Sequence, residues 1–221
     1  MVEKMIGFVV ALQQEAKTVL EKTKAVEKTA KNGKKIYFGD INGKNFALIV
    51  CGIGKVNAAL STQFLLDNYP VDFVINFGSV GGIKEKTQAL KYYAVDKCCQ
   101  YDFDLSALDN VPVGYIQDYG TVYFYPKTDK LKFLPLVGLA TSDRFTEKKA
   151  DISTISDLKC EIFDMEGGAV AQVCTANGKT FYIFKGVTDV HGSGNDKNTF
   201  YENLNKVCAG FYPVLAKLLS E

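Results

Sequence analysis

Arginine is nearly missing from this chain: Arg144 is the only one, and almost all the positive charge is lysine. Arginine's planar fork is the usual tool for a bidentate grip on phosphate or carboxylate. Any phosphate bound here has to be held by lysine and backbone amides, not by an arginine cluster. Histidine is as scarce, with His191 alone, and none of the six cysteines (Cys51, Cys98, Cys99, Cys160, Cys174, Cys208) forms a C-x-x-C pair. That inventory assembles no zinc set, and neither a metal nor another cofactor is expected. The thiols lie mostly in apolar runs or on apolar helix faces, where they act as small buried hydrophobes; reduced cysteines are the reading. Net charge is missing too, since 26 basic residues face 25 acidic ones. This balance gives nucleic acid or an anionic membrane nothing to hold. The expected partner is a small molecule or a second copy of the chain. The apolar run in MVEKMIGFVVALQQEAK is too short to span a bilayer and has no small-residue cleavage site. The expected location is the cytoplasm.

What is present is an ordinary globular composition, 47% hydrophobic and 23% charged over 221 residues. No linker, repeat or low-complexity tract interrupts it, so residues 1–221 are read as one domain. Strand-like runs cover Met5 to Leu12, Lys34 to Asp40, Asn45 to Cys51, Asp72 to Phe77, Leu136 to Thr141, Cys160 to Phe163 and Phe181 to Val187. Asn42-Gly43 marks a hairpin between the second and third. Helical spacing covers Gln13 to Lys22, Val56 to Tyr69 (apolar at Val56, Leu60, Phe64 and Leu65) and Glu166 to Asn177. It returns from Thr199 to Leu219, with Leu204, Val207, Phe211, Val214, Leu215 and Leu218 on one stripe. The tyrosine-rich stretch from Lys91 to Lys132 resists assignment. Strands alternating with helices imply an α/β domain, a parallel or mixed sheet between helical layers.

Ligands in such sheets collect beyond the carboxyl ends of strands. The segments expected there are Gln13-Gln14-Glu15, Gly52-Ile53-Gly54, Gly78-Ser79-Val80-Gly81-Gly82, Ser142-Asp143-Arg144-Phe145, Asp164-Met165-Glu166 and Thr188-Asp189-Val190-His191. Several carry carboxylates beside apolar residues and two are glycine-rich, which suits a flat, partly polar ligand. Each has a plainer explanation. Gly52-Ile53-Gly54-Lys55 is not a phosphate loop, because Val56 stands where the metal-binding hydroxyl belongs; it reads as a tight turn. The Gly78–Gly82 segment reads equally as a flexible loop or a ligand contact. Glu15 and one acid of Asp164-Met165-Glu166 could simply favour a helix start, and Asp189 could sit in a plain turn. His191, with no nucleophile beside it, reads as a mobile-loop residue near the pocket.

Order and spacing say more than any one motif. Ala11-Leu12-Gln13-Gln14-Glu15, Gly52-Ile53-Gly54-Lys55-Val56-Asn57-Ala58-Ala59, and Ile75-Asn76-Phe77-Gly78-Ser79-Val80-Gly81-Gly82 closely resemble the bacterial 5'-methylthioadenosine/S-adenosylhomocysteine nucleosidases. So do Ser142-Asp143-Arg144-Phe145, Asp164-Met165-Glu166-Gly167-Gly168-Ala169-Val170-Ala171 and Val187-Thr188-Asp189-Val190. The resemblance covers nearly the whole chain and is weakest between Lys91 and Lys132. It implies the purine nucleoside phosphorylase fold, a three-layer α/β sandwich around a mixed, partly barrel-like sheet, and a homodimer. The aromatics Tyr92, Tyr93, Tyr101, Phe103, Tyr115 and Tyr119 are expected at the interface, or else to cover the open end of the sheet within one subunit.

The implied activity is hydrolysis of the N-glycosidic bond of an adenine nucleoside carrying a 5'-thio group, releasing adenine, in methionine salvage. By resemblance Glu15 is the base that activates water, Asp189 the acid that protonates purine N7, and Glu166 the acceptor for the ribose hydroxyls. Phe145 stacks on the base, Phe163 lies at a backbone contact to it, Met165 packs under the sugar, and Phe200 lies at the 5' end. Ile53 and Ser79 complete the substrate-binding set. An acid and a base at one pH need different environments, so Asp189 is expected in the drier setting. A carboxylate at the nucleophile position repels phosphate and suits water, which favours hydrolysis over phosphorolysis. The chain departs from the family at Asp164, where glutamate is common, at Lys185, where arginine is, at Tyr101-Asp102, where histidine-aspartate is, and from His191 to Lys197. The alternatives are another purine nucleoside (futalosine-like, adenosine or inosine), a phosphorylase, or a nucleoside-binding protein without turnover.

Overall fold

The computed structural model describes residues 4–29, 33–146, 148–191 and 197–220, excepting the side chains of residues 197–199. Most of the distinctive segment after His191 therefore lies outside the described residues.

The first apolar run forms β1 (Met5–Val10), buried along nearly its whole length between two parallel neighbours, β4 (Lys44–Val50) and β5 (Val71–Ile83). A strand covered on both faces needs continuous rather than alternating hydrophobicity, which is what IGFVV supplies. β3 (Lys35–Ile41) joins β4 through Asn42-Gly43, both at positive φ, as the hairpin signal requires. β2 (Val26–Thr29) pairs with the outer edge of β3; its four residues are all exposed, so no apolar pattern announces it.

Beyond β5 the sheet closes. β5 pairs antiparallel with β8 (Ile162–Asp164), β8 parallel with β7 (Leu136–Thr141), and β7 parallel with β6 (Tyr92–Gln100). β6 then pairs antiparallel with β9 (Thr180–His191), which returns parallel to β5. These five strands form a barrel, and β1, β4, β3 and β2 extend it as an open sheet. β6 lies in the stretch that resists assignment from sequence: its register slips between Val95 and Lys97, which breaks the alternation a strand would show.

Two expectations about strand ends are corrected. Gly78–Gly82 is not a loop but the second half of β5, and Asp189 lies within β9 rather than after it. The glycines serve close approach, not turning. A Cβ at Gly81 would fall 2.2 Å from the Phe163 ring, and one at Gly78 would fall 3.0 Å from Glu15 Oε1.

Helices cover both faces. α1 (Gln13–Thr23) and α6 (Lys197–Leu218) pack together on one, and α2 (Lys55–Asn68) and α5 (Gly167–Ala176) on the other. Two short helices, α3 (Ser106–Asp109) and α4 (Lys149–Asp157), lie in connections and carry no strong periodic signal. The stripe read on α6 is buried as expected, with Phe211 against Phe77 and Phe184. The stripe read on α2 is split: Leu65 is buried and Phe64 packs on the core, but Val56 and Leu60 are 77% and 53% exposed, and Ala58, Ser61 and Thr62 take their place on the buried face. The tyrosines also differ from the interface reading. Tyr93 and Tyr101 are buried within the chain, the Tyr92 hydroxyl donates to the Val207 carbonyl (2.6 Å), and Tyr119 packs edge-on to Phe124. Of these rings Phe103 stays most open, at 36%.

Candidate active site

A cleft opens beside β1, β5, β8 and β9, lined by apolar side chains and a few polar ones, which suits a small, partly polar ligand. All nine residues singled out from the sequence line it: Glu15, Ile53, Ser79, Phe145, Phe163, Met165, Glu166, Asp189 and Phe200. They come from seven separate stretches of chain, and only the closed barrel brings them together.

Glu15 sits in the first turn of α1, buried to 2%. Its Oε1 accepts from the Ser79 N–H and the Ser79 hydroxyl, both at 2.7 Å, and its Oε2 accepts from the Leu12 N–H at 3.0 Å. The helix start explains one of these contacts; the other two need the glycine-rich half of β5 lying flat against the carboxylate.

Glu166 caps α5, and its Oε1 accepts from the Gly54 N–H at 2.9 Å, which ties α5 to the turn before α2. Burial, then the neighbouring Asp164, push its carboxyl up to about 7, while Lys185 and the Gly54 amide pull the other way. Asp164 is occupied structurally. It takes the Thr141 hydroxyl (2.6 Å), the Gly167 N–H (2.9 Å) and the Lys185 ammonium (2.8 Å). Lys185 is 2% exposed. A lysine inside the apolar run Phe181 to Val187 cannot reach water, so it requires a buried acid; that need was legible in the sequence, and the partner, Asp164, is supplied by the fold.

Asp189 faces the cleft from β9, with Thr188 Oγ1 donating to it at 2.8 Å. Burial raises its carboxyl above the ordinary value, with Thr188 and His191 opposing. Exposure does not single this acid out as the drier one, since Asp189 is half-buried and Glu15 fully buried; the two differ in that Glu15 has three donors and Asp189 one hydroxyl. The Thr188 carbonyl takes the Asn203 amide at 2.8 Å, so α6 is fastened to the same wall.

Arg144 also lines the cleft, which its scarcity did not foretell. Its guanidinium is engaged by Asp151 (2.6 Å) and lies over the Tyr101 ring. Thr146, Thr188, Val80 and Leu12 line the cleft too, and no residue pattern distinguishes them beforehand.

The fold is thus an α/β domain in which a mixed sheet closes into a barrel between helical layers, with four acids, Glu15, Asp164, Glu166 and Asp189, lining the cleft. Residues 5–220 match the profile of the phosphorylase superfamily. The chain is 30% identical over 232 residues to the 5'-methylthioadenosine/S-adenosylhomocysteine nucleosidase of Buchnera aphidicola, covering 97% of this chain and 95% of that one. Among solved structures, the Streptococcus pneumoniae MTA/SAH nucleosidase in complex with 8-aminoadenine superposes with TM-score 0.87 at 25% identity, over 97% and 98% of the chains. The futalosine hydrolase of Helicobacter pylori shares the fold, with TM-score 0.89 at 22% identity over 98% and 97%. The chain belongs to the phosphorylase superfamily and, within it, to the 5'-methylthioadenosine/S-adenosylhomocysteine nucleosidase family.

Proposed function

We infer that this protein hydrolyses the N-glycosidic bond of an adenine nucleoside bearing a 5'-thio substituent, releasing adenine. The observation that carries this reading is the pairing of two unlike carboxyl groups across one cleft. Both are withdrawn from water, but Glu15 is held by three donors, whereas Asp189 has one hydroxyl partner and a carboxyl that burial raises. The bond breaks through a ribosyl cation-like state with electrons flowing into the purine. Asp189, protonated, delivers its proton to N7; Glu15, ionised, takes a proton from the attacking water. Glu166 accepts from the ribose hydroxyls, Met165 packs under the sugar, and Phe145 covers the base. Phe163 presents its backbone to the purine, and Ile53 and Phe200 bound the 5' end. Ser79 acts through Glu15, since both its donors are spent on that carboxylate.

Among the described residues Arg144 is the one basic side chain lining the cleft, and it is committed to Asp151 and Tyr101, as the buried Lys185 is to Asp164. A panel of 5'-methylthioadenosine, S-adenosylhomocysteine, adenosine, inosine and futalosine, assayed with and without phosphate, tests the reading. Free ribose sugars at a rate indifferent to phosphate are expected, with the thio-nucleosides preferred; accumulating ribose 1-phosphate would sink it.

The working unit is proposed to be a homodimer, now on different residues. Ile53, Val56, Leu60 and the Phe145 ring are more than half exposed around the mouth of the cleft. A second hollow beside them is lined by Val56, Ala59, Tyr119 and Val173. A second copy would cover this surface, and sedimentation of Leu60→Glu against the unaltered protein checks it. Among the described residues no helix is long and apolar enough to cross a membrane. A cytoplasmic place in methionine salvage, as one domain without nucleic acid, is the setting proposed for the enzyme.

A further inference from the structure

Phe145 poses a mechanical problem. Its ring is 64% exposed, and no other ring stacks on it among the described residues. An aromatic so open gains little from packing, so its position has to come from the backbone on either side. Each of its near neighbours is anchored. Ser142 Oγ donates to the Tyr101 hydroxyl at 2.8 Å, and Thr146 Oγ1 shares a hydrogen bond with the same hydroxyl at 2.7 Å. The Asp143 N–H donates to Asp102 Oδ2 at 2.9 Å. Arg144 lies over the Tyr101 ring, 5.4 Å from its centroid.

The same dipeptide reaches the opposite lip. Asp102 Oδ1 accepts from the Lys55 ammonium at 2.6 Å, and the Lys55 N–H donates to Asp143 Oδ1 at 2.7 Å. Lys55 follows Gly54, whose N–H holds Glu166. One two-residue element at the end of β6 therefore grips the loop carrying Phe145 and the turn carrying Ile53. Tyr101 is 2% exposed and does not itself line the cleft; it reaches the lining through Arg144 and Thr146 and packs in the same core cluster as Phe163.

We propose that Tyr101, with Asp102, is a positioning clamp that presents Phe145 to the purine, and that the Tyr101 hydroxyl sets affinity for the base rather than the rate of bond cleavage. The proposal rests on the nucleosidase reading, in which Phe145 covers the base. Burying a phenol whose partners are two loop hydroxyls holds both ends of the loop at once. Removing that one oxygen takes away both bonds and the hydroxyl's own interaction with Arg144, and leaves the ring in place beneath the guanidinium.

The test is Tyr101→Phe, with Tyr123→Phe as control, because the Tyr123 hydroxyl also makes one internal bond, to the Leu158 carbonyl at 2.9 Å, outside the cleft. For Tyr101→Phe, KM for 5'-methylthioadenosine should rise about ten-fold, with kcat held within about two-fold. Amide hydrogen exchange of residues 142–146 in the unliganded protein should quicken, while Tyr123→Phe leaves both unchanged. Thr146→Val should reproduce part of the effect, and the double variant should cost no more than Tyr101→Phe alone. Unchanged KM and exchange in Tyr101→Phe, or a fall in kcat equal to the rise in KM, overturns the clamp. If the unaltered protein cleaves no nucleoside, the nucleosidase reading fails instead, and the exchange measurement still decides whether the clamp exists.

Discussion

The two walls of the cleft use the same functional group in opposite ways. On the β1 side Glu15 is gripped by two backbone amides and a hydroxyl; on the β9 side Asp189 has one hydroxyl partner, and burial raises its carboxyl. Donors favour the charged form of a buried carboxyl, and burial without them favours the protonated form. In the mechanism proposed above, that contrast lets one cleft keep an acid and a base at the same pH without a histidine taking either part.

The largest break in that contrast comes from removing either role. Asp189→Asn should lower kcat by about 10²–10⁴-fold with KM little changed, since an amide fills the space but has no proton to give. Glu15→Gln should fall in the same range. Single-turnover measurements separate the chemical step from binding; near-normal turnover in either variant would dissolve the assignment.

A smaller effect sharpens the Glu15 wall alone. Ser79→Ala deletes one of three donors and leaves the Ser79 amide bonded. We expect kcat to fall about ten-fold, the scale of one hydrogen bond to a charged group. Thermal stability should change little. A loss as deep as that of Glu15→Gln would mean that Ser79 touches substrate itself.

The smallest effect concerns Glu166, whose carboxyl burial raises as it does that of Asp189, but whose proposed part is that of an acceptor. Its folded carboxyl titrates near 7, above the ordinary value, so the folded state binds this proton more tightly than the unfolded chain. Its contribution to stability is therefore full below the ordinary carboxyl value and lost as pH rises toward about 7. Glu166→Gln should lose less thermal stability than the unaltered protein between about pH 5 and about pH 8. Substrate affinity of the unaltered protein should weaken below about pH 7, where Glu166 takes up its proton and stops accepting, and the variant should lack that limb. Parallel melting curves for the two proteins would remove Glu166 from this account.

Two helices show how far periodicity reaches. Both α2 and α6 carry apolar residues at helical spacing, and both are helices. On α6 the stripe faces the sheet; on α2 Val56 and Leu60 face away, because Ala58, Ser61 and Thr62 are small enough to let α2 lie close on the other side. Spacing reveals an amphipathic face and is silent on what covers it. The glycine segment of β5 misled for a related reason. Glycine is as much at home in a turn as in a strand pressed against a neighbour, and only the Phe163 ring and the Glu15 carboxylate tell the two apart.

Local sequence by itself determined the buried strands, the hairpin at Asn42-Gly43, the long C-terminal helix and the identity of the acids, because each depends on residues a few positions apart. Barrel closure, the donors that set Glu15 apart from Asp189, the pairing of Lys185 with Asp164 and the grip of Tyr101-Asp102 on two loops were decided by tertiary structure. A carboxyl group's solvation and partners are set by chain segments far away in sequence, and those meet only when β9 returns to β5 and shuts the barrel.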